Sequence, residues 1–197
     1  MDTRDVAATR ETYEAVAAEY AERHDDRADV APFLAKFRAA CTGDRVVDAG
    51  CGPGYDAALL GEWGFDVLGL DLSAEFLDVA ADTAPWADLA RMDMRELGIA
   101  DGAAGGLWAC ASFIHVPRHQ AEDTLREFAR VLRSGAPLFL GVLRGPGERS
   151  PSAYEEDERR VTLYERAEIV ERLDRSGFDV DETVGDGMWL DVHASCR

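Results

Sequence analysis

Val46-Val47-Asp48-Ala49-Gly50-Cys51-Gly52-Pro53-Gly54 is the stretch that decides the reading of this chain. A short apolar run, interrupted by one aspartate, ends in three glycines at alternate positions, and a helix-forming segment, 55–63, follows directly and stops at Gly64. Glycine has no Cβ and tolerates positive φ, so the backbone can turn sharply here and approach a ligand closely. The spacing is G-x-G-x-G. A dinucleotide fingerprint, G-x-G-x-x-G, needs its third glycine at position 55, where Tyr55 stands. A diphosphate also needs free N–H groups at the helix start, and Pro53 removes one of them. The turn suits a ligand without a diphosphate and disfavours a nicotinamide oxidoreductase.

Downstream the pattern alternates. Strands are predicted at 65–70, near 89–92, at 106–111 and at 137–143, with helices at 74–83 (Ser73 as N-cap) and 119–132 between them. A helix at 165–175 and two strands, 178–183 and 188–195, close the series. The stretch 145–160 is polar and rich in breakers and reads as an exposed loop, with Glu155-Glu156-Asp157-Glu158 as a solvated charge run on a loop that is also a candidate part of a lid. Upstream, Tyr13, Val16, Ala17 and Tyr20 form one apolar helical stripe, and Pro32 opens a second short helix reaching position 40. Repeated strand–helix–strand units imply an α/β fold with a mostly parallel sheet, whose ligands sit beyond the carboxyl ends of the strands.

Acidic residues arrive at three successive strand ends. Asp48 ends the first, Asp71 follows the second and Asp93 follows the third. A carboxylate at the second tip can accept both hydrogen bonds of a ribose diol, and one at the third can accept an adenine amino group. Leu72 and Met94 are placed to pack on the ring. These features describe a pocket for an adenosine carrying a polar, phosphate-free tail.

At this point the sequence resembles the class I S-adenosylmethionine-dependent methyltransferases, over roughly residues 10–197. VVDAGCGPG is similar to their glycine motif, LGLDLS to the ribose segment and MDM to the adenine segment; residues 106–117 resemble their fourth strand and following loop, and 130–136 the turn before their fifth. Two departures are Gly105-Gly106 in place of an acid before the fourth strand, and Ala136 after Gly135. The resemblance implies a Rossmann-like seven-stranded sheet ordered 3-2-1-4-5-7-6, with the last-formed strand antiparallel, helices on both faces and an N-terminal helical cap. It implies S-adenosyl-L-methionine as cofactor and S-adenosyl-L-homocysteine as product. Gly50, Cys51 and Gly52, with Gly54 closing the loop, would hold the methionine portion; Asp71 the ribose; Asp93 and the Met94 N–H the adenine; Ala109 to Ala111 would lie beside the sulfonium. Asp48 is expected either to touch the ligand or to brace the loop, and Tyr20, rather than Tyr13, to reach the cofactor. His115 is the candidate base or acceptor contact. The acceptor, a small molecule methylated at O, N, S or C, would bind between the cap, residues 112–118 and the 145–160 loop.

The 197 residues predict one domain: a cap (1–42), a cofactor core (43–145) and a C-terminal part (146–197). The formal net charge is −18, and Lys36 is the only lysine. Such a surface repels phosphate backbones and anionic membranes, and is the kind expected in a salty cytoplasm. No apolar run approaches the ~20 residues of a membrane helix. The start does not read as a signal peptide, and the four cysteines form no metal or CxxC spacing, so a cytoplasmic monomer or homodimer without a metal is expected. A nucleic-acid methyltransferase would need a basic track, but Arg118, Arg126, Arg130 and Arg133 alternate with Glu122, Asp123 and Glu127. A cofactor-binding protein without turnover would keep the same pocket.

Overall fold

Strand β1 (Arg45–Ala49) lies mid-sheet, and Val46, Val47, Asp48 and Ala49 are all buried, as a strand covered on both faces requires. The computed structural model describes residues 3–155, 157–185 and 187–197. β2 (Asp66–Asp71) and β3 (Asp88–Arg91) follow on one side of β1; β4 (Leu107–Cys110) and β5 (Pro137–Arg144) follow on the other, all parallel. β9 (Trp189–Cys196) runs antiparallel to β5, and β8 (Phe178–Val184) antiparallel to β9. The order β3-β2-β1-β4-β5-β9-β8 is the expected seven-strand arrangement, once the last two strands take their place in the full series.

Two further strands were not foreseen. β6 (Glu148–Arg149) and β7 (Val161–Tyr164) form a hairpin, and β7 pairs parallel with β5 through Leu143↔Leu163 and Arg144↔Tyr164. Leu143 already pairs with Trp189 on its other flank, so β7 takes the flank that β4 leaves vacant beyond Cys110. The 145–160 stretch is thus not simply an exposed loop. Its polar composition hid the short strands, because their pairing comes from β5 and not from local pattern.

Side-chain alternation divides the core. Val46, Val67, Trp108 and Phe139 cluster with Leu34 and Phe37 of α3 (Ala31–Ala40) and with Ala57 and Leu60 of α4 (Tyr55–Glu62); Trp108 and Phe139 stack at 3.8 Å. Val47, Leu107, Leu138 and Leu140 cluster with Leu125, Phe128 and Val131 of α6 (Ala121–Val131) and with Ile169 and Leu173 of α7 (Arg166–Arg175). Full burial of one such Leu or Phe side chain contributes about 1.5–3 kcal/mol.

The N-terminal stripe is not one helix. α1 (Thr3–Ala15) stops before Val16, whose φ of −114° and ψ of 14° leave the helical range, and α2 (Ala17–Arg23) begins after it. Tyr13 and Tyr20 still meet, edge to face at 5.5 Å. α5 (Ala74–Thr83) is capped as expected: Ser73 Oγ accepts from the Phe76 N–H. Among the described residues no helix is long and apolar enough to cross a membrane.

Candidate functional site

One cavity lies over the carboxyl tips of the first strands. Its floor is Gly50, Gly52, Leu70, Asp71, Leu72, Met92, Asp93 and Met94; the tip of β4 contributes Cys110, Ala111 and Ser112; α1 closes it from above with Val6, Thr9, Arg10 and Tyr13, a single i, i+3, i+4, i+7 face.

The glycine turn explains itself through its donors. The N–H groups of Gly50 and Cys51 both donate to the Leu70 carbonyl (2.7 and 2.9 Å), that of Gly52 donates to Asp71 Oδ2 (3.0 Å), and that of Gly54 to the Cys51 carbonyl (3.0 Å). Pro53 has none. Every backbone donor from 50 to 54 is therefore spent inside the protein, and a diphosphate would find nothing to bind there. Gly50 has φ +77°, and a Cβ on it would sit 2.4 Å from Ser112 Cβ; Gly52 has φ +52° and nothing within 4 Å of its missing Cβ, so its backbone is open to a ligand.

Asp71 ties this turn to the start of α5, accepting from Gly52 N and, at 2.8 Å, from Ser73 N. Burial raises its pKa, against the pull of those N–H groups. A carboxylate offers about four lone-pair sites, so it can still receive a diol. Asp93 is more committed. Arg95 grips it through Nε (2.9 and 3.0 Å) and Nη2 (2.6 Å) while its own N–H adds a fourth bond at 2.9 Å. Burial would raise the Asp93 pKa, but these bonds and the guanidinium charge lower it. Arg95 also donates to Gln120, which joins the β3 tip to the start of α6.

Of the residues expected at the site, Tyr20, Gly50, Gly52, Asp71, Leu72, Asp93, Met94, Ala111 and His115 line the cavity. Asp48, Cys51, Gly54 and Ala109 are not among the residues that line it. Ala109 is wholly buried in the core, and it is its successors, Cys110 to Ser112, that reach the opening. Ala111 holds φ +56°, the one non-glycine in the left-handed region among the described residues, which is the kind of local strain that collects at binding sites. Asp48 is buried, and its Oδ2 has no hydrogen-bond partner. Burial, and then repulsion from Asp56, push its pKa well up, against the Ala57 N–H and the Arg27 charge.

Four features escaped the sequence reading. Val6, Thr9 and Arg10 were invisible because the stripe was started at Tyr13. Asp56 receives a bidentate bond from Arg27 (2.8 and 2.6 Å) and another from Trp108 Nε1 (2.8 Å), anchoring the α2–α3 loop to the core. Tyr13, assigned to packing, is a hub: its ring meets Tyr20, Phe76 and His115 at 5.3–5.5 Å. Asp157, taken for a solvated charge, is 2% exposed at its side chain and paired at 2.6 Å with Arg159, itself 9% exposed.

His115 closes the arrangement. Its Nδ1 lies 2.9 Å from the Arg160 carbonyl and its Nε2 2.9 Å from the Tyr13 hydroxyl. A carbonyl only accepts, so Nδ1 carries the proton; Nε2 then accepts from Tyr13, whose oxygen in turn accepts from Arg159 Nη1 at 3.1 Å. Burial lowers the imidazole pKa to about 4, against the raising effect of the Arg160 carbonyl. Both ring nitrogens are engaged, and the ring is neutral. Among the described residues no three His, Cys, Asp or Glu side chains converge as a metal site.

Comparison with known proteins agrees with this geometry. The model of a methyltransferase-domain family matches residues 46–135, from β1 to the turn before β5. The chain is 37% identical over 112 residues to methyltransferase GfsG of Streptomyces halstedii, covering 52% of this chain and 40% of that protein. It is 35% identical over 128 residues to 27-O-demethylrifamycin SV methyltransferase of Amycolatopsis mediterranei, covering 60% and 45%. The chain thus spans about half the length of the curated relatives it matches. Among solved structures, the 1,6-didemethyltoxoflavin-N1-methyltransferase of Burkholderia thailandensis, with 1,6-didemethyltoxoflavin and S-adenosylhomocysteine bound, superposes with a TM-score of 0.77 at 20% identity, covering 97% of this chain and 88% of that one. A glycine turn with no donor left for a diphosphate, carboxylates at the next two strand tips and the match to a methyltransferase-domain family over 46–135 together support a class I S-adenosylmethionine-dependent methyltransferase.

Proposed function

We propose that the chain transfers the methyl group of S-adenosylmethionine to a nucleophilic atom of a small molecule held beneath α1. The observation that carries this reading is the roof: Val6, Thr9, Arg10 and Tyr13 enclose the same cavity that the strand tips floor, leaving a covered, largely apolar chamber rather than an open basic track. In this reading Asp71 accepts from the ribose hydroxyls. Asp93 and the Met94 N–H meet the adenine edge, with the Leu72 and Met94 side chains against its faces. Gly50, Cys51 and Gly52 flank the methionine portion, with Tyr20 beside it. Asp48 and Gly54 brace the turn from behind, and the backbone at 109–111 leads to the sulfonium end.

When bound, the cofactor supplies an electrophilic methyl on a sulfonium, and the protein's part is to align the nucleophile and exclude water. Few lining groups are poised to remove a proton. Burial raises the pKa of Tyr13, Tyr20 and Cys110. His115, weighed from sequence as a base or acceptor contact against a capping or packing role, is neutral but weakly basic, and its Nε2 is occupied by Tyr13. An acceptor whose attacking atom already has a free lone pair suits this chamber better than one that must first lose a proton. If an alcohol does react here, its proton would pass to the Tyr13 oxygen as the Tyr13 proton moves to His115 Nε2.

The test is turnover. Purified protein given S-adenosylmethionine and a panel of small amines, thiols, carboxylates and phenols should release S-adenosylhomocysteine with at least one class, and mass spectrometry should find the methylated product. Tight nucleotide binding without product from any class would make it a cofactor-binding protein of another role.

A further inference from the structure

The helix that roofs the cavity, α1, is bonded to a segment far from it in sequence. Segment 157–160 is sewn to α1: Arg160 N donates to Thr9 Oγ1 (3.0 Å), Glu158 N to Thr12 Oγ1 (3.3 Å), Arg159 Nη1 to the Tyr13 hydroxyl (3.1 Å), and Arg160 pairs with Asp5 at 3.6 Å. Asp5, Thr9, Thr12 and Tyr13 fall at i, i+4, i+7 and i+8, a face of the helix that overlaps the roofing one at Thr9 and Tyr13. Arg159 is sandwiched between the rings of Tyr13 and Tyr154, 5.0 and 4.6 Å from their centres, and held by Asp157 through two bonds of 2.8 and 2.6 Å. The two pieces form one body.

His115 stands on the core side of this body, on the 3-10 turn Phe113–His115 that follows the β4 tip. Its two nitrogens reach different pieces, Nε2 the Tyr13 hydroxyl on α1 and Nδ1 the Arg160 carbonyl on the segment. Its neighbour Val116 accepts a bond from Thr162 Oγ1, which fixes the far end of the segment to the same turn. We infer that His115 is a positioning residue, a clasp that closes the joined α1 and 157–160 lid over the cofactor cavity and so sets how long the nucleotide stays. The clasp rests on the reading of the cavity as the cofactor site, and it gives a use to a histidine whose nitrogens are both taken.

The experiment measures dissociation of S-adenosylhomocysteine by stopped-flow competition in the full chain, for wild type, His115→Asn, Tyr13→Phe and the double variant. Both single changes remove the Tyr13–His115 bond, Tyr13→Phe also the bond from Arg159 Nη1, and each should speed release roughly five- to tenfold. The double variant should be little faster than Tyr13→Phe alone, because the bond that His115→Asn deletes is already gone there. Release unchanged in both single variants, or effects that multiply fully in the double one, would overturn the clasp. Hydrogen exchange of the α1 amides in nucleotide-free protein provides an independent readout: faster exchange in both variants is expected, and unaltered protection contradicts the proposal. That measurement judges the clasp even if wild type binds no nucleotide, a result that would count against the proposed function instead. Tyr13→Phe keeps the ring and its packing, so the comparison survives should His115→Asn fold poorly.

Discussion

The floor and the roof of the cavity are built by different physics. The floor consists of strand ends, each placed by a ladder of backbone hydrogen bonds to its neighbours; Asp71 and Asp93 reach the cavity because β2 and β3 run parallel and Asp93 stands two residues beyond Arg91, the partner of Asp71. The roof is a helix braced by a segment 146 to 151 residues away in sequence through bonds that involve the side chains of Thr9, Thr12, Tyr13 and Arg159. A parallel sheet fixes its tips whether or not a ligand is present. A roof held by a few hydrogen bonds, each contributing about 0.5–1.5 kcal/mol, can open at small cost. That contrast suits a site that must hold a nucleoside in fixed geometry and still let it in and out.

Substitutions can break the contrast in order of expected effect. Trp108→Ala, beneath the floor and stacked on Phe139, should cost about 3–5 kcal/mol of global stability, read by chemical denaturation. A loss below about 1 kcal/mol would mean that the core is not organised around this stack. Asp71→Ala removes the acceptor for Gly52 N and Ser73 N as well as the proposed ribose contact, and should weaken nucleotide binding by about 1–3 kcal/mol. Full affinity in that variant would remove Asp71 from the ribose. Asp157→Ala strips Arg159 of its partner in a nearly closed environment, and its effect should be confined to the roof: faster amide exchange and protease cutting near 150–160, with the global denaturation midpoint little changed. A large global loss would show that roof and floor unfold as one unit.

The smallest effect is a titration. Burial lowers the pKa of His115 and of His193 to about 4, one under the roof and the other in the core between Phe33 and Phe139. The unfolded value is about 6.5, so between pH 6.5 and 4 the unfolded chain binds more protons than the native one at these two sites. Their contribution to stability is therefore complete above pH 6.5 and is lost as the pH falls towards 4. Imidazole NMR shifts should show both rings neutral at pH 5.5; a midpoint near 6.5 for His115 alone would mean that the roof stands open in solution.

The same division governs what the sequence made legible. The glycine turn, the Ser73 cap and the tip aspartates are local signals: residue type and spacing dictate backbone shape, and the parallel topology then places them. The seven-strand order followed from the family resemblance, and the structure bears it out. What stayed hidden depends on distant partners. β7 exists because β5 outruns β4. Asp157 looked solvated because Arg159, Tyr13 and Tyr154, which bury it, enter from elsewhere. The stripe from Tyr13 to Tyr20 was read as one helix because periodicity cannot see the turn at Val16. Charge belongs to the same class of signal: the −18 balance says how the surface meets salt and nothing about what the chamber holds.

The central claim, that the strand tips bind a diphosphate-free adenosine, is tested most directly by isothermal calorimetry of the intact chain with S-adenosylhomocysteine and, in parallel, NADH. The account predicts saturable heat at one site per chain for the first ligand and none for the second. Absence of heat with S-adenosylhomocysteine in protein shown by circular dichroism to be folded, or comparable binding of NADH, would contradict it.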